Sequence, residues 1–548
     1  MNRDTALNFL HSSGRRRAAF CGIIGLGLLL RFWGLDFGLP HREARPDEST
    51  VIYMALLTVK NGLAPSSLTY PTFYIYLLAG LYKFFGLFIG GTAELVRRFA
   101  VEPSALFMIN RVLAALFGSF MIIPVYKTAK LLFGARAALA SGLMAAVCLL
   151  LARDSHFGTL DIPAVFFVAF STWFSVRACF SGRAADYALA GAAAGLATGT
   201  KYIGILMFFQ LAAIQLALAL HKKKPVKDML KDPRPWYFAL AFAAAFFIST
   251  PYAFLAPSQL RQDYAFHTSL HGVMRGSTLW HHLAFSLRHA LTLPALALAA
   301  AGAALMTIKT PRKALMLGGF FLAYLAVLDK VSSVYIRYVL PLLPVLCICA
   351  GYALAKLTER AKTALPFALL AVLAAAAPLY YSVRQNIIMS RHDTRVTAEK
   401  YFSYIMPKGV SVGVLASQYS TPQLAWDNGY LSSRIREESA GPNPLMAQVY
   451  GYMVDRNLEK KSPGYRRIPF TPQGFTEPPD YIIIACGRFE ARPCGLTARG
   501  YAKDYDTILA LNPGEQAGAV YDPTDAFYLP LDGRTRFPGP GFLFLQRK

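Results

Sequence analysis

Residues 70–91 read YPTFYIYLLAGLYKFFGLFIGG, and whether this stretch crosses a bilayer decides the side on which every later loop lies. It is long enough to cross, since about 20 apolar residues span a hydrocarbon core. If it crosses, the basic runs HKKKPVKDMLKDPR (221–234), KTPRK (309–313) and KLTERAK (356–362) all face outward. If it lies along the outer surface, those runs fall inside together with Lys127, Lys130, Arg136 and Arg183, as the bias of Lys and Arg toward cytoplasmic loops demands. The rings of Phe73, Tyr74, Tyr76, Tyr82 and Phe84 also suit a membrane interface. Residues 70–91 are therefore expected to form a surface or re-entrant helix.

With that choice made, the other apolar stretches give about eleven spans, near 18–35, 106–126, 137–152, 161–180, 186–200, 202–220, 236–256, 283–307, 314–328, 335–355 and 364–382. The composition agrees: 55% of the 548 residues are hydrophobic, only 16% are charged, and mean hydropathy is +0.37. A formal charge of +25 invites a nucleic-acid reading, but the Lys and Arg residues punctuate the apolar segments instead of gathering in one basic domain, so no nucleic-acid partner is expected. The run GRRRAAFCGIIGLGLLL (14–30) resembles a secretory signal without a small-residue cleavage site, and reads as an uncleaved first helix with a cytoplasmic N-terminus.

From about Arg384 the material changes. Charge, Pro and Gly rise, while VSVGVLA (410–416), YIIIACG (481–487) and FLFLQ (542–546) read as strands beside a helix at TRVTAEKYFSYIM (394–406). The expected organisation is thus a membrane domain over 1–383, with outer loops near 36–105, 153–161, 257–282 and 329–335, and a soluble extracytoplasmic α/β domain over 384–548. Cys486 and Cys494 in that domain are open to either a disulfide or two thiols, because sequence gives no distance between them. The remaining five cysteines read as packing residues.

The outer loops collect charge. The first carries HREARPDEST (41–50) with Asp47 and Glu48; the next carries Arg153, Asp154, His156 and Asp161; GTKY follows with Lys201. Further on come Asp263, His267, His271 and Arg275, then Lys330, Arg337 and Tyr338. Asp47 and Asp161 each precede an apolar run and are also placed to cap its helix. His267 and His271 share one helix face, a weak metal signal without a matching carboxylate. Lys201 follows a helix of small residues and precedes another span, where an ammonium is costly unless paired or bound to an anion. Carboxylates can take a proton from an attacking hydroxyl, and cations can stabilise a phosphate leaving group. Beside lipid, that chemistry fits sugar transfer from a polyprenyl-phosphate carrier. A flippase for lipid-linked sugars is the alternative, but it should bury ionisable groups near the midplane of repeated or broken helices.

The order RFWGLDFGLPxxxxRPDE, YPTFYIYLLAG, NRVLAALFG, RDSHFGTLDIPAVFF, GTKY, TPYAFL and RYVLPLLP resembles the GT-C membrane glycosyltransferases, in particular the group around protein O-mannosyltransferases and the lipid A aminoarabinose transferase. The resemblance spans most of 20–380. It implies a GT-C membrane fold, a polyprenyl-phosphate sugar donor, and a protein, lipid or glycan acceptor; the absence of Asn-x-Ser/Thr is compatible with the expected residence in a bacterial inner membrane. The resemblance further implies catalytic roles for Asp47, Glu48 and Asp161, and donor-phosphate roles for Lys201, Arg275 and Tyr338; Arg153, in the second outer loop, is a further candidate for the phosphate. A divalent metal held among Asp47, Asp154, Asp161 and His156 is left open, since only some relatives of the fold use one. The chain departs from the family in carrying Tyr70 where the aminoarabinose transferase has a Lys before the proline.

Overall fold

The computed structural model describes residues 13–222, 232–271, 277–361, 363–417, 419–441, 444–486, 494–511 and 539–548. Two compact units emerge. One comprises Met1–Trp33, Ala64–Leu77 and Arg111–Val383; the other comprises Gly34–Leu63, Leu78–Asn110 and Arg384–Lys548. The C-terminal segment thus shares its unit with two stretches of the expected first outer loop.

Helices occupy every apolar stretch read from the sequence, among them Ser13–Phe32, Asp161–Ser181, Ala184–Thr200, Met207–Lys222, Arg234–Ser249, Pro311–Leu328 and Leu343–Leu357. Among the described residues, six helices are long and apolar enough to cross a membrane, and up to eight if each of two bent pairs counts as one span. One bent pair is Phe73–Ile89 with Gly91–Val101, meeting at 101°. Phe84, Leu87 and Phe88 near this bend are 62%, 76% and 72% exposed, so the helix keeps an apolar flank that lipid would cover.

The second bent pair revises the expectation of one span over 283–307. Leu279–Leu291 and Leu293–Lys309 meet at 114°, and the bend falls on Thr292 at φ 70°. Pro294 stands in the first turn of the following helix, where its missing N–H costs no hydrogen bond. The expected span 137–152 is interrupted as well: Ala135–Val147 ends at Cys148 and a short helix, Leu149–Asp154, follows. A helix end in an apolar interior exposes carbonyls that need donors. The buried Arg31 guanidinium supplies them, donating to the carbonyls of Ala145 and Ala146 at 3.0 Å each.

Ala184–Thr200 packs against both Asp161–Ser181 and Arg234–Ser249. Its sequence AADYALAGAAAGLATGT places Gly191, Gly195 and Gly199 four residues apart on one face. A Cβ at Gly191 would lie 2.0 Å from the Phe238 carbonyl oxygen, and one at Gly195 would lie 2.5 Å from that of Phe242. Only hydrogen fits there. Small residues at this spacing let two backbones touch in a bilayer, where no hydrophobic force draws helices together. The close contact fixes the C-terminal end of Ala184–Thr200, at which Lys201 stands.

In the other unit, strands β1 (Ser411–Leu415), β2 (Arg466–Ile468), β3 (Phe470–Thr471), β4 (Gly474–Phe475), β5 (Tyr481–Cys486), β6 (Tyr505–Leu511) and β7 (Gly541–Arg547) form two sheets. The main sheet runs β2-β1-β5-β7-β6, with β1 parallel to β2 and β5, and β7 antiparallel to β5 and β6. Ile483, Phe542 and Phe544 face Phe402 of helix Thr394–Ile405, while Ile482, Ile484, Leu543 and Leu545 pack with Tyr505 on the opposite face. Both faces of the central strands are covered, which is why YIIIAC reads as a continuous apolar run instead of an alternating one. Cys486 is disulfide-bonded; the side chain of Cys494 lies outside the described residues.

Candidate active site

Asp161 opens helix Asp161–Ser181, where a carboxylate is favoured by the partial positive charge of the helix start. It accepts a hydrogen bond from Lys201 Nζ at 2.6 Å. Lys201 leaves the end of Ala184–Thr200 in an extended conformation, φ −150° and ψ 130°, which directs the chain away from the helix axis before the 3₁₀ segment Tyr202–Leu206. The Lys201 and Asp161 side chains keep 29% and 13% exposure. A pair open to solvent contributes about 0–1 kcal/mol, so a ligand can displace one partner at little cost.

A third segment completes the cluster. The 3₁₀ segment Ile336–Leu342 packs on helix Asp161–Ser181, and Tyr324 Oη donates to the Tyr338 carbonyl at 2.8 Å. Lys201 Nζ lies 5.7 Å from the centre of the Tyr338 ring. Arg337 places its guanidinium 5.8 Å from the same ring and 4.3 Å from that of Tyr335. Two cations therefore flank one tyrosine beside one carboxylate, a balance that suits an anion. Lys201, Asp161 and Tyr338 stand together in this cluster. Arg337 was visible only as a cation near a span end; its stacking on Tyr335 and Tyr338 is what ties it to the cluster.

Arg153 and Asp154 occupy a different environment. Arg153 Nε donates to Asp154 Oδ2 at 2.6 Å, the two side chains are 0% and 1% exposed, and the guanidinium lies 5.5 Å from the centre of the Phe157 ring. Both charges of this pair are enclosed by protein, unlike those of the Asp161–Lys201 pair. His156 is also buried, with its ring nitrogens 2.9 Å from the Ala152 carbonyl oxygen and 3.0 Å from that of Trp33. Burial pushes its pKa down to about 4, outweighing the backbone hydrogen bonds with Trp33, Ala152 and Arg153 that favour protonation. Among the described residues, no three His, Cys, Asp or Glu side chains gather into a group that could hold a metal ion. Arg275 and the side chains of His267 and His271 lie outside the described residues.

Asp47 and Glu48 belong to the other unit. Asp47 stands at the N-cap of helix Glu48–Asn61 with φ 73° and ψ −20°, in the left-handed region. The capping role expected for its side chain is not realised: the carboxylate makes no cap hydrogen bond, and it is the Asp47 carbonyl that receives the Val51 N–H, at 3.0 Å. A non-glycine residue held left-handed costs about 1–2 kcal/mol, and surrounding contacts must impose it. Glu48 is fully buried, while Asp47 keeps partial exposure.

The loop before Asp47 is tied to the C-terminal part of its unit. His41 Nδ1 accepts the Glu43 N–H at 3.2 Å, which leaves Nε2 as the donor to the Thr421 carbonyl at 2.8 Å. Burial, reinforced by the nearby Arg395 charge, lowers the His41 pKa to about 3, so the ring is neutral at physiological pH. Arg395 Nη1 donates to the Glu43 carbonyl at 3.0 Å and Nη2 to that of Ala44 at 3.3 Å.

Residues 106–252 match the family described as dolichyl-phosphate-mannose-protein mannosyltransferase. That stretch includes Asp161 and Lys201. The match covers about a quarter of the chain and includes the motifs NRVLAALFG, RDSHFGTLDIPAVFF and GTKY; among the described residues, at least six helices are long and apolar enough to cross a bilayer, as in a membrane protein. No curated protein sequence matches the chain. Among solved structures, the oligosaccharyltransferase of Archaeoglobus fulgidus is 14% identical with a TM-score of 0.48, covering 87% of this chain and 70% of its own. ArnT from Cupriavidus metallidurans, bound to undecaprenyl phosphate, is 17% identical with a TM-score of 0.47, covering 79% and 75%. The arabinosyltransferase EmbB from Mycobacterium smegmatis is 13% identical with a TM-score of 0.40, covering 81% and 40%.

Proposed function

We propose that the protein transfers a sugar from a polyprenyl-phosphate carrier to an acceptor hydroxyl at the outer face of a bacterial inner membrane. The observation that carries this reading is the partly exposed Asp161–Lys201 pair, which lies within the stretch that matches a mannosyltransferase family and has Tyr338 and Arg337 beside it. Lys201 and Arg337 take the carrier phosphate; Asp161 holds Lys201 extended in the absence of donor. Asp47 takes the proton of the acceptor hydroxyl. The acceptor oxygen forms a bond to the anomeric carbon as the bond from that carbon to the phosphate oxygen breaks, and both electrons of the broken bond leave with the phosphate. One displacement inverts the anomeric centre. The phosphate leaves already ionised and needs no general acid; its growing charge is what the cations stabilise.

The test is carrier release. Purified protein is incubated with lipid-linked sugars and acceptor-containing membranes, and free polyprenyl phosphate is followed by mass spectrometry for wild type, Asp47→Asn and Lys201→Met. Release by wild type alone supports the assignment, and the lost sugar mass identifies the donor. Equal release by all three proteins refutes the roles given to both residues, and release by none refutes the transferase reading.

A further inference from the structure

We propose that Arg395, in the C-terminal segment, is the positioning residue for Asp47, which makes that segment an integral part of the catalytic apparatus instead of an accessory domain. The inference rests on the reading of Asp47 as the acceptor-activating base.

Arg395 is fully buried. Its five N–H donors are all engaged, as a guanidinium in an apolar setting requires. Nε donates to Asp393 Oδ1 at 2.8 Å and Nη2 to Asp393 Oδ2 at 2.5 Å. Nη1 donates to the carbonyls of Glu43 and Tyr419, at 3.0 Å each, and the second Nη2 hydrogen goes to the Ala44 carbonyl at 3.3 Å. The same Asp393 caps helix Thr394–Ile405 by accepting the Arg395 N–H at 2.8 Å. One ion pair therefore fixes the start of a helix in the C-terminal segment and grips the backbone three and four residues before Asp47.

The surroundings leave this grip no slack. A Cβ at Gly38 would lie 2.4 Å from Ala44 Cβ and 3.2 Å from Asp393 Oδ2, and one at Gly539 would lie 2.7 Å from Asp393 Oδ1. Both glycines have positive φ, at 66° and 92°. The His41 contact to the Thr421 carbonyl pins the loop a second time. Between this anchored stretch and helix Glu48–Asn61 stands Asp47 at φ 73°, a conformation that persists only where the neighbours impose it. Releasing the carbonyls of Glu43 and Ala44 lets the backbone relax, and the carboxylate moves from the position the acceptor needs. A misplacement of about 1 Å at a catalytic group costs about 100-fold in rate.

The experiment compares Arg395→Lys, Arg395→Ala and Asp47→Asn in the full-length protein, reading kcat and donor KM from carrier release, melting temperature, and amide exchange over residues 42–51. Arg395→Lys keeps the charge but has three donors in place of five. The expected result is a kcat loss of about 10- to 100-fold with unchanged donor KM, faster exchange confined to 42–51, and partial restoration of Arg395→Ala, but not of Asp47→Asn, by added guanidinium. If neither Arg395 variant folds, Asp393→Asn, which keeps the side-chain shape and loosens the same guanidinium, carries the comparison. Unchanged kcat in folded variants overturns the proposal, as does a loss that tracks melting temperature without guanidinium rescue. If Asp47→Asn itself turns over normally, the base assignment fails first and the proposal falls with it.

Discussion

Replacing Lys201 by Met removes the ammonium while keeping an unbranched apolar stem of similar reach. The stability change is small: the pair with Asp161 is 29% and 13% exposed at its two side chains, and such pairs contribute about 0–1 kcal/mol. The catalytic change is large. As the sugar leaves, the phosphate gains about one unit of negative charge, and an ammonium about 4 Å away at an effective dielectric near 20 interacts with that unit by about 4 kcal/mol. Solvent reaching a side chain with 29% exposure reduces this, and single donors aimed at developing charge elsewhere contribute about 2.7–4 kcal/mol. The expected outcome is a 100- to 1,000-fold fall in kcat for Lys201→Met, with melting temperature close to wild type. The assay is single-turnover release of polyprenyl phosphate, which isolates the chemical step from product departure. A kcat within tenfold of wild type, or a change confined to donor KM, refutes the argument that Lys201 meets the phosphate more strongly in the transition state than in the ground state.

Three further outcomes follow from the same geometry. Asp161→Asn removes the carboxylate that competes with phosphate for Lys201, so product carrier phosphate should bind tighter and inhibit at lower concentration, measured as its inhibition constant; weaker binding would show that Asp161 contributes to the anion site directly. His41→Gln should flatten the acid side of the stability profile: with the folded pKa near 3 and an ordinary value of 6.5, the neutral ring's contribution is fully present above pH 6.5 and falls by about 1.4 kcal/mol per unit as pH drops toward 3. Melting temperature against pH reads this, and identical slopes for the two proteins would refute it. Gly195→Leu places a side chain where even a Cβ would lie 2.5 Å from the Phe242 carbonyl oxygen, so Ala184–Thr200 and Arg234–Ser249 must separate. The expected loss is at least about 1–3 kcal/mol, with Lys201-dependent activity falling in whatever protein folds; wild-type melting and turnover would refute the close packing.

The membrane helices were legible because a bilayer leaves the backbone few choices: a long apolar stretch must satisfy its own hydrogen bonds, and a helix does so. Breaks were less legible. Pro294 signals the bend at Thr292, yet a proline near a helix start and one that ends a span look alike until the backbone is seen. The stop at Cys148 has no local signal; its carbonyls are satisfied by Arg31, more than a hundred residues earlier in the chain. Charged residues at span ends divide in the same way. Lys201 stood out because an uncompensated charge there is expensive, and Asp161 because the family resemblance gives it a role. Arg153 was a candidate for the phosphate by its place in an outer loop, and its charge proves to be paired with the adjacent Asp154.

Arg395 marks the limit of what sequence can show about this site. An acidic pair ahead of an apolar helix draws attention because a carboxylate there can serve chemistry as well as cap a helix. A lone arginine in a polar segment has many, and nothing in DTRVTAEK distinguishes it. Its partners in the loop are the carbonyls of Glu43 and Ala44. Carbonyls are common to every residue, so no motif records which of them a distant guanidinium will choose. The grip is on backbone atoms whatever side chains stand at 43 and 44, whereas replacing Arg395 would release both carbonyls at once. The residue whose chemistry is visible and the residue that holds it in place thus obey different constraints, and only the first writes a pattern into the sequence.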